Sequence, residues 1–203
     1  MFYRIILAIL KVVFFPFFRI RVHNKEKLPN SSDIIVCANH WSNLDPIFLG
    51  IALPYEFNFM AKKELFENAL LNKILTGLNA FPIDRQSNDL KALRYSIKLI
   101  KEDKTLGIFP EGTRVKSIDR NNMKEGVAFI ASKAKADILP VEIVTTYRIF
   151  SKVDIYVKDL IAINQYEDLK NKEAMKIISD RVFEEIYDER LSLESREYAD
   201  INS

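Results

Sequence analysis

The 203-residue sequence has one cysteine, Cys37, and few glycines or prolines, five and seven respectively. A single thiol can form neither an internal disulfide nor a cysteine-rich zinc cluster. The scarcity of glycine and proline excludes collagen-like and low-complexity chains. With 30 basic against 28 acidic residues the net charge is only +2, so no nucleic-acid partner is expected. These absences leave one compact globular domain in a reducing compartment as the expected class.

The first 22 residues, MFYRIILAILKVVFFPFFRIRV, form the most apolar stretch of the chain. A secretory signal is a poor fit, because Phe17, Phe18 and Arg19 stand where small residues would mark a cleavage site. Pro16 ends any helix near residue 15, which limits its length to roughly 21 Å, less than the ~30 Å hydrocarbon core of a bilayer. A clean membrane span is therefore not expected.

This segment is instead predicted to be an amphipathic helix at a membrane interface. Arg4 and Lys11 are seven residues apart and share one face of a helix whose remaining side chains are mostly apolar. Basic residues near the chain start favour an anionic lipid surface. A core helix whose Lys11 reaches solvent stays open as an alternative. The expected organisation is a membrane-associating segment over residues 1–22 and a single α/β domain over residues 23–203.

The rest of the chain alternates short apolar runs with amphipathic stretches. Residues 34–38, IIVCA, form an unbroken apolar run that is typical of a central strand covered on both faces. Further strands are predicted over 58–61, 80–83, 105–109, 138–144 and 153–157, and helices over 45–53, 90–100, 127–134 and 174–186. This alternation predicts an α/β fold with a mostly parallel central sheet flanked by helices.

His40 stands at the end of the predicted central strand, in HWSNLD, where ligands collect in open α/β sheets. A neutral imidazole there can accept a proton near pH 7, and the carboxylate of Asp45 could fix its tautomer. Asp45 also fits as the N-cap of a helix with Pro46 at its first position, and spacing alone favours that interpretation. The other histidine, His23, lies among polar residues and is predicted to be a solvated loop residue.

FPEGTR, residues 109–114, follows the predicted strand 105–109. Gly112 permits a turn with outward N–H groups, Thr113 adds a hydroxyl and Arg114 offers a planar cationic fork. Together these groups suit a phosphate monoester. The alternative is a tight turn with a surface Arg–Glu pair.

AFPIDR, residues 80–85, ends a further predicted strand with Arg85. His40, Arg85 and Arg114 therefore follow three strands, which indicates one site at one rim of a parallel sheet. Cys37 is predicted to be a small buried residue, because strand alternation points it away from the face of His40. No metal cluster is visible in the sequence, and no metal site is expected.

Four segments, taken in order, resemble the four blocks of the glycerolipid acyltransferase family of 1-acyl-sn-glycerol-3-phosphate acyltransferases. They are NHWSNLDP (39–46), AFPIDR (80–85), FPEGTR (109–114) and ILPVEI (138–143). AKKELF (61–66) and KEGVAFIASKA (124–134) are also similar to family sequences, so the resemblance covers about residues 34–144.

The resemblance implies that His40 is the general base and Asp45 its orienting carboxylate. The implied substrate-binding residues are Lys62, Arg85, Glu111, Gly112, Thr113 and Arg114. The implied reaction moves a fatty acyl group to the sn-2 hydroxyl of 1-acyl-sn-glycerol 3-phosphate, giving phosphatidic acid. The expected co-substrate is an acyl-CoA or acyl carrier protein thioester, with no cofactor. The expected location is the cytoplasmic face of the cell membrane, as a peripheral or monotopic protein.

Asn79, Val115 and Glu142 depart from the residues usual in the family, which leaves the acceptor head group and the acyl chain open. One alternative function is a related acyltransferase acting on glycerol 3-phosphate or another lysophospholipid. A second is a non-catalytic peripheral lipid-binding protein, against which the presence of both His40 and Asp45 counts.

Overall fold

The computed structural model describes residues 2–84 and 89–201, with the side chains of these residues other than 188, 189 and 191–201. The described residues contain six α-helices and seven β-strands. The helices are α1 (Phe2–Phe14), α2 (Asp45–Ala52), α3 (Ala69–Gly77), α4 (Leu90–Lys101), α5 (Gly126–Ala134) and α6 (Asn171–Ile201). The strands are β1 (Arg19–His23), β2 (Ile35–Ala38), β3 (Phe57–Lys62), β4 (Phe81–Ile83), β5 (Thr105–Ile108), β6 (Ile138–Thr145) and β7 (Lys152–Val157).

The seven strands form one sheet in the order β1-β7-β6-β2-β5-β3-β4. Every neighbouring pair is parallel except β6 with β7, which is antiparallel. Strand β2 lies in the middle, where Ile35 pairs with Leu106 of β5 on one side and with Ile138 of β6 on the other. The predicted α/β fold with a mostly parallel sheet flanked by helices is confirmed.

Strand β2 is buried on both faces, as its unbroken apolar run predicts. Ile35 and Cys37 pack with α4, α5 and α6, whereas Val36 and Ala38 pack with α2 on the opposite face. Successive side chains of a strand point to opposite faces, so β2 contributes to both halves of the core. The site described below follows directly from the carboxyl end of this strand.

Strand β1 was not predicted from the sequence. It pairs in parallel with β7 at one edge of the sheet, so the predicted domain boundary after residue 22 falls inside a strand. The prediction of a solvated loop for His23 is wrong. His23 ends β1, and its Nε2 lies 2.8 Å from Oδ1 of Asp154 on β7. The contact with Asp154 therefore holds the His23 side chain against the neighbouring strand.

Helix α1 confirms the helix predicted before Pro16. Its Tyr3 side is packed against the domain, where the Tyr3 hydroxyl accepts a hydrogen bond from the Phe57 backbone N–H at 3.1 Å. The opposite side is apolar and open, with Val12 74% exposed and Phe15, just beyond the helix, 81% exposed. Within residues 2–84 and 89–201, no helix is both long and apolar enough to cross a membrane.

Candidate active site

The turn after β2 is held by its first residue, Asn39. The Asn39 side-chain amide donates to the Ile143 carbonyl at 2.9 Å and accepts from the Ile143 N–H at 2.7 Å. This buried side chain thereby continues the hydrogen bonding between β2 and β6 by one more residue. On the other side, the Val115 N–H donates to the His40 carbonyl at 2.9 Å. His40 is thus held by the Val115 contact to its own carbonyl and by the anchoring of the preceding residue, Asn39, to β6.

His40 and Asp45 form a buried pair. Nδ1 of His40 lies 3.1 Å from Oδ2 of Asp45, and the same oxygen accepts the backbone N–H groups of Trp41 at 2.8 Å and Ser42 at 2.7 Å. The interpretation of Asp45 as the N-cap is wrong, because Leu44 precedes the helix and Asp45 is its first residue. Its carboxylate turns back over the HWS turn. We assign the Nδ1 proton to the bond with this carboxylate, which leaves Nε2 as the basic atom.

The His40 ring is stacked on Phe109, with centroids 4.2 Å apart, and is largely buried. Among the described residues, Nε2 has no hydrogen-bond partner. Phe109 in turn lines a cavity, so the imidazole sits beside a space that can admit an apolar substrate. This arrangement suits a general base whose reacting proton arrives from a bound molecule.

The open cavity beside Phe109 has a volume of about 530 Å³ and is lined by residues of β3, β4, β5, α4 and α5. Its apolar wall consists of Met60, Ile83, Leu93, Phe109, Val127 and Ile130. Gly112, Lys124, Asp84 and Asp89 line it as well. The Asp84 carboxylate binds Nζ of Lys63, and the Asp89 carboxylate accepts the N–H groups of Asp84 and Ala92. An apolar chain fits the wall of this cavity, and the ammonium group of Lys124 can face an anionic group at its rim.

Gly112 has a backbone φ of +69°, which favours glycine, and Lys124 packs over it. A Cβ atom at Gly112 would lie 2.9 Å from Nζ of Lys124. Thr113 and Arg114 follow as exposed residues. Lys124 was not singled out from the sequence as a binding residue, although it begins the KEGVAFIASKA segment. The FPEGTR turn therefore presents a small backbone surface flanked by Lys124.

Glu111 lies beneath the site rather than on its surface. Its side chain is 2% exposed, and Oε1 accepts hydrogen bonds from the Tyr187 hydroxyl at 2.5 Å and from the His40 N–H at 3.3 Å. Burial raises the pKa of the Glu111 carboxyl, while the bond from Tyr187 opposes that rise. These contacts support a role in holding the His40 backbone rather than contact with a phosphate.

The remaining predicted binding residues differ in how well they are placed. Lys62 ends β3, with Nζ 3.3 Å from Oε1 of Glu64 and its side chain half exposed. Arg85 lies outside the described residues. The preceding residue, Asp84, binds Nζ of Lys63 at 2.6 Å, and its N–H donates to the Asp89 carboxylate at 2.9 Å. The strands that carry these segments, β3 and β4, end at the same edge of the sheet as β2 and β5.

Besides Lys124, three residues near the site were not predicted from the sequence. The Tyr147 hydroxyl donates to Oδ1 of Asp45 at 2.7 Å, and the Tyr187 hydroxyl donates to Glu111. Arg190 lies over the Trp41 ring, 4.6 Å from its centroid, which places α6 against the HWSNLD turn. Tyr147 comes two residues after the carboxyl end of β6, which is parallel to β2. This position at the site's end of the sheet was the one feature from which its role could have been predicted.

Glu142, which departs from the family pattern, is fully buried on β6 and lies between two cations. Its carboxylate oxygens are 3.3 Å from Nε of Arg190 and 3.4 Å from Nζ of Lys158. The two basic side chains compensate the buried charge. The charge of this carboxylate, unusual in the family, is therefore balanced by Arg190 on α6 and by Lys158 directly after β7.

Cys37 is fully buried, and burial raises the pKa of its thiol well above the usual value, so it is inert. In the part of the chain that the structure describes, no three histidine, cysteine, aspartate or glutamate side chains lie together as a metal site would need. The chemistry of the described site therefore centres on His40.

A histidine held by a carboxylate at the carboxyl ends of parallel strands, beside a largely apolar cavity, is suited to general-base chemistry. A family model described as Acyltransferase matches residues 19–144. The match covers more than half of the chain, and the protein belongs to the Acyltransferase family.

Curated relatives share the sequence at moderate identity. The chain is 39% identical over 122 residues to the 1-acyl-sn-glycerol-3-phosphate acyltransferase of Bacillus subtilis, a match that covers 60% of each chain. It is 40% identical over 122 residues to the Streptococcus pneumoniae protein of the same name, covering 59% of this chain and 45% of that one. The chain thus spans about half to three fifths of the length of these two relatives. With the Borreliella burgdorferi protein of that name it shares 28% identity over 179 residues, covering 83% of this chain and 72% of the relative.

A solved structure has the same fold. It is the crystal structure of the 1-acyl-sn-glycerophosphate (LPA) acyltransferase PlsC from Thermotoga maritima. The TM-score is 0.66 at 26% sequence identity, and the superposition covers 90% of this chain and 78% of that one.

Proposed function

We propose that this protein transfers a fatty acyl group from a thioester donor to the sn-2 hydroxyl of 1-acyl-sn-glycerol 3-phosphate, giving phosphatidic acid. The observation that carries the proposal is the buried His40–Asp45 pair, with Nε2 of His40 unbound beside an apolar cavity. The names of the relatives from Bacillus subtilis and Borreliella burgdorferi support the choice of acceptor.

In this reaction Nε2 of His40 removes the proton of the acceptor hydroxyl as its oxygen attacks the thioester carbonyl. The C–S bond then breaks, and the thiol leaves with the proton that His40 returns. Asp45 stabilises the imidazolium between these two steps. Because both substrates are held together, no covalent acyl-enzyme is needed. The donor is an acyl-CoA or an acyl carrier protein thioester.

The phosphate of the acceptor would be held by the basic groups of the FPEGTR rim. Arg114 is exposed there and Lys124 lies over Gly112, so both cations can approach a phosphate while Glu111 stays buried below. Lys62, at the end of β3, is proposed as a further contact, and so is Arg85, which lies outside the described residues. Binding the phosphate would fix the hydroxyl of the same small molecule next to His40.

An acceptor screen tests the substrate. Purified protein is given each donor with 1-acyl-sn-glycerol 3-phosphate, glycerol 3-phosphate or a lysophosphatidylcholine, and thiol release and lipid products are measured. We expect thiol release with the first acceptor and phosphatidic acid as the product. Release only with glycerol 3-phosphate or only with the choline lipid would replace the acceptor. Lipid binding without thiol release from either donor would identify a non-catalytic lipid-binding protein.

The proposed place of action is a membrane surface, contacted by the open side of α1. Ile9, Val12 and Phe15 form an exposed apolar stripe near the exposed Lys11, whereas Arg4 is paired with Glu56 at 2.7 Å. Apolar area together with nearby cations favours the interface of an anionic bilayer. An enzyme placed there would meet its acceptor in the surface where that lipid resides.

Vesicle co-sedimentation tests the membrane contact. We expect the full chain to bind phosphatidylglycerol-containing vesicles more strongly than phosphatidylcholine vesicles, and the triple variant Ile9→Gln, Val12→Gln, Phe15→Gln to lose most of this binding. A matched control replaces exposed apolar residues elsewhere, Leu90→Gln and Ile177→Gln. Equal binding by the triple variant and the control would show that another surface carries the contact.

A further inference from the structure

We propose that Tyr147 is a positioning residue of the acyl-transfer site, whose hydroxyl holds one carboxylate oxygen of Asp45 so that the other faces His40. The inference rests on the proposed function for the role of His40 as the base. Tyr147 lies beyond residue 144, outside the stretch that matches the family.

The two oxygens of the Asp45 carboxylate have different partners. Oδ2 accepts hydrogen bonds from His40, Trp41 and Ser42, whereas Oδ1 accepts the Tyr147 hydroxyl at 2.7 Å. Asp45 is fully buried, so Oδ1 has little access to solvent as a substitute donor. A carboxylate rotates easily about its last bond. The Tyr147 hydroxyl therefore fixes the rotation that keeps Oδ2 opposite Nδ1.

The backbone around Tyr147 sets the position of this hydroxyl. Tyr147 has a φ of +56°, an uncommon value for a bulky residue, and its N–H donates to Oγ1 of Thr145 at 3.3 Å. Three residues later the Phe150 N–H donates to the Phe17 carbonyl at 2.7 Å. Strained backbone of this kind is kept where surrounding contacts determine it, often at functional sites. The Tyr147 ring also lies beside Phe48, with centroids 6.4 Å apart.

The hydroxyl acts as a donor throughout the neutral range, because burial and the nearby Asp45 charge raise the pKa of Tyr147. With the hydroxyl in place, the carboxylate keeps Oδ2 opposite Nδ1 of His40. Without the hydroxyl the carboxylate can rotate, which weakens its contact with the imidazolium. The other ionisable groups near Tyr147 and the His40–Asp45 pair are Glu111, after β5, and Tyr187 and Arg190, both on α6.

The experiment compares Tyr147→Phe, which keeps the ring, with the control Tyr95→Phe, which removes a hydroxyl from α4. The chain has two histidines, so the NMR titration of both can be followed in one sample. His23, paired with Asp154 on the β1–β7 edge, serves as the internal reference. In Tyr147→Phe we expect the titration midpoint of His40 to move down by about half a pH unit while that of His23 stays.

Acyl transfer is measured on the same proteins. We expect kcat of Tyr147→Phe to fall on the order of 10-fold, with KM for both substrates changed by less than about two-fold, since the lost bond acts through Asp45. The acid limb of the kcat profile should follow the His40 midpoint. Tyr95→Phe should behave as the wild type does.

An unchanged His40 midpoint in folded Tyr147→Phe would overturn the inference, whatever substrate the enzyme uses. A merely structural role for Tyr147 would lower the unfolding temperature without moving His40 relative to His23, and that result would also overturn it. If the wild type releases no thiol, the proposed function fails, but the titration still decides on Tyr147. A destabilised variant is titrated below its unfolding temperature, where the same comparison holds.

Discussion

Replacing Asp45 with asparagine separates the charge of this residue from its hydrogen bonds. An amide oxygen in place of Oδ2 can still accept the Trp41 and Ser42 N–H groups, and the amide NH₂ can donate to the Tyr147 hydroxyl oxygen. The fold should therefore remain stable. What is lost is the negative charge 3.1 Å from Nδ1 of His40, which stabilises the imidazolium.

The size of the loss follows from Coulomb's law. Two unit charges about 4 Å apart interact by about 4 kcal/mol at an effective dielectric constant of ~20, which corresponds to a ceiling of about 10³ in rate. Partial solvation lowers this value, so we expect kcat to fall by about 10². The loss should be smaller than the loss caused by removing the imidazole.

The assay measures thiol release from the acyl donor with saturating acceptor, together with thermal unfolding. Asp45→Ala is the matched comparison, since it leaves the Trp41 and Ser42 N–H groups without their acceptor, at ~1–3 kcal/mol each. Its unfolding temperature should fall on the order of 10 °C, while that of Asp45→Asn stays near the wild type. Full activity of a stable Asp45→Asn protein would refute the role of the charge.

Three further results are expected. Arg114→Ala should raise KM for the lysophosphatidate by about 10- to 100-fold and KM for the acyl donor far less, because a charge-assisted bond to phosphate is made in the ground state. A rise in KM for the acyl donor alone would instead assign Arg114 to binding the CoA or acyl carrier protein part of the donor. Gly112→Ala should lower the free energy of unfolding by about 1–2 kcal/mol and weaken the acceptor, since it adds a Cβ in the left-handed region against Lys124, and unchanged unfolding would contradict this. Because burial raises the pKa of the Glu111 carboxyl, the folded state binds that proton more tightly than the unfolded state does. The free energy of unfolding should therefore fall as pH rises from the ordinary carboxyl pKa through the raised one. Denaturant titrations across this pH range should show a weaker dependence of the unfolding free energy on pH for Glu111→Gln, and an equal dependence would contradict the burial argument.

Elements with strong apolar signals were predictable from the sequence, and those without were not. The run IIVCA predicts β2 because both of its faces are covered, and the alternation of Val153, Ile155 and Val157 predicts β7. Most of strand β1 was assigned to the membrane-associating segment of residues 1–22. Its sequence RIRVH is half polar, and only its pairing with β7 makes it a strand. Helix α3 was not predicted, although Leu70, Leu71 and Ile74 recur at helical spacing; in the structure these side chains are exposed and do not face the core.

The pair His40 and Asp45 could be predicted from the sequence, whereas the tyrosines that bind the carboxylates of the site could not. His40 and Asp45 are five residues apart after a strand, so a local pattern carries them. Whether Asp45 caps its helix or turns back to His40 depends on where the helix starts by one residue, which spacing does not define. Tyr147 and Tyr187 are 102 and 76 residues from the carboxylates they bind, and their contacts exist only once β6 and α6 lie beside the β2 turn.

We propose His40 as the general base for acyl transfer to the lysophosphatidate hydroxyl. This role is tested by the rate of thiol release from the preferred donor with 1-acyl-sn-glycerol 3-phosphate, for the wild type and for a His40→Ala protein with the same unfolding temperature. We expect His40→Ala to be ~10² to 10⁴-fold slower, the range that general-base catalysis supplies. A folded His40→Ala protein that turns over at close to the wild-type rate would contradict it.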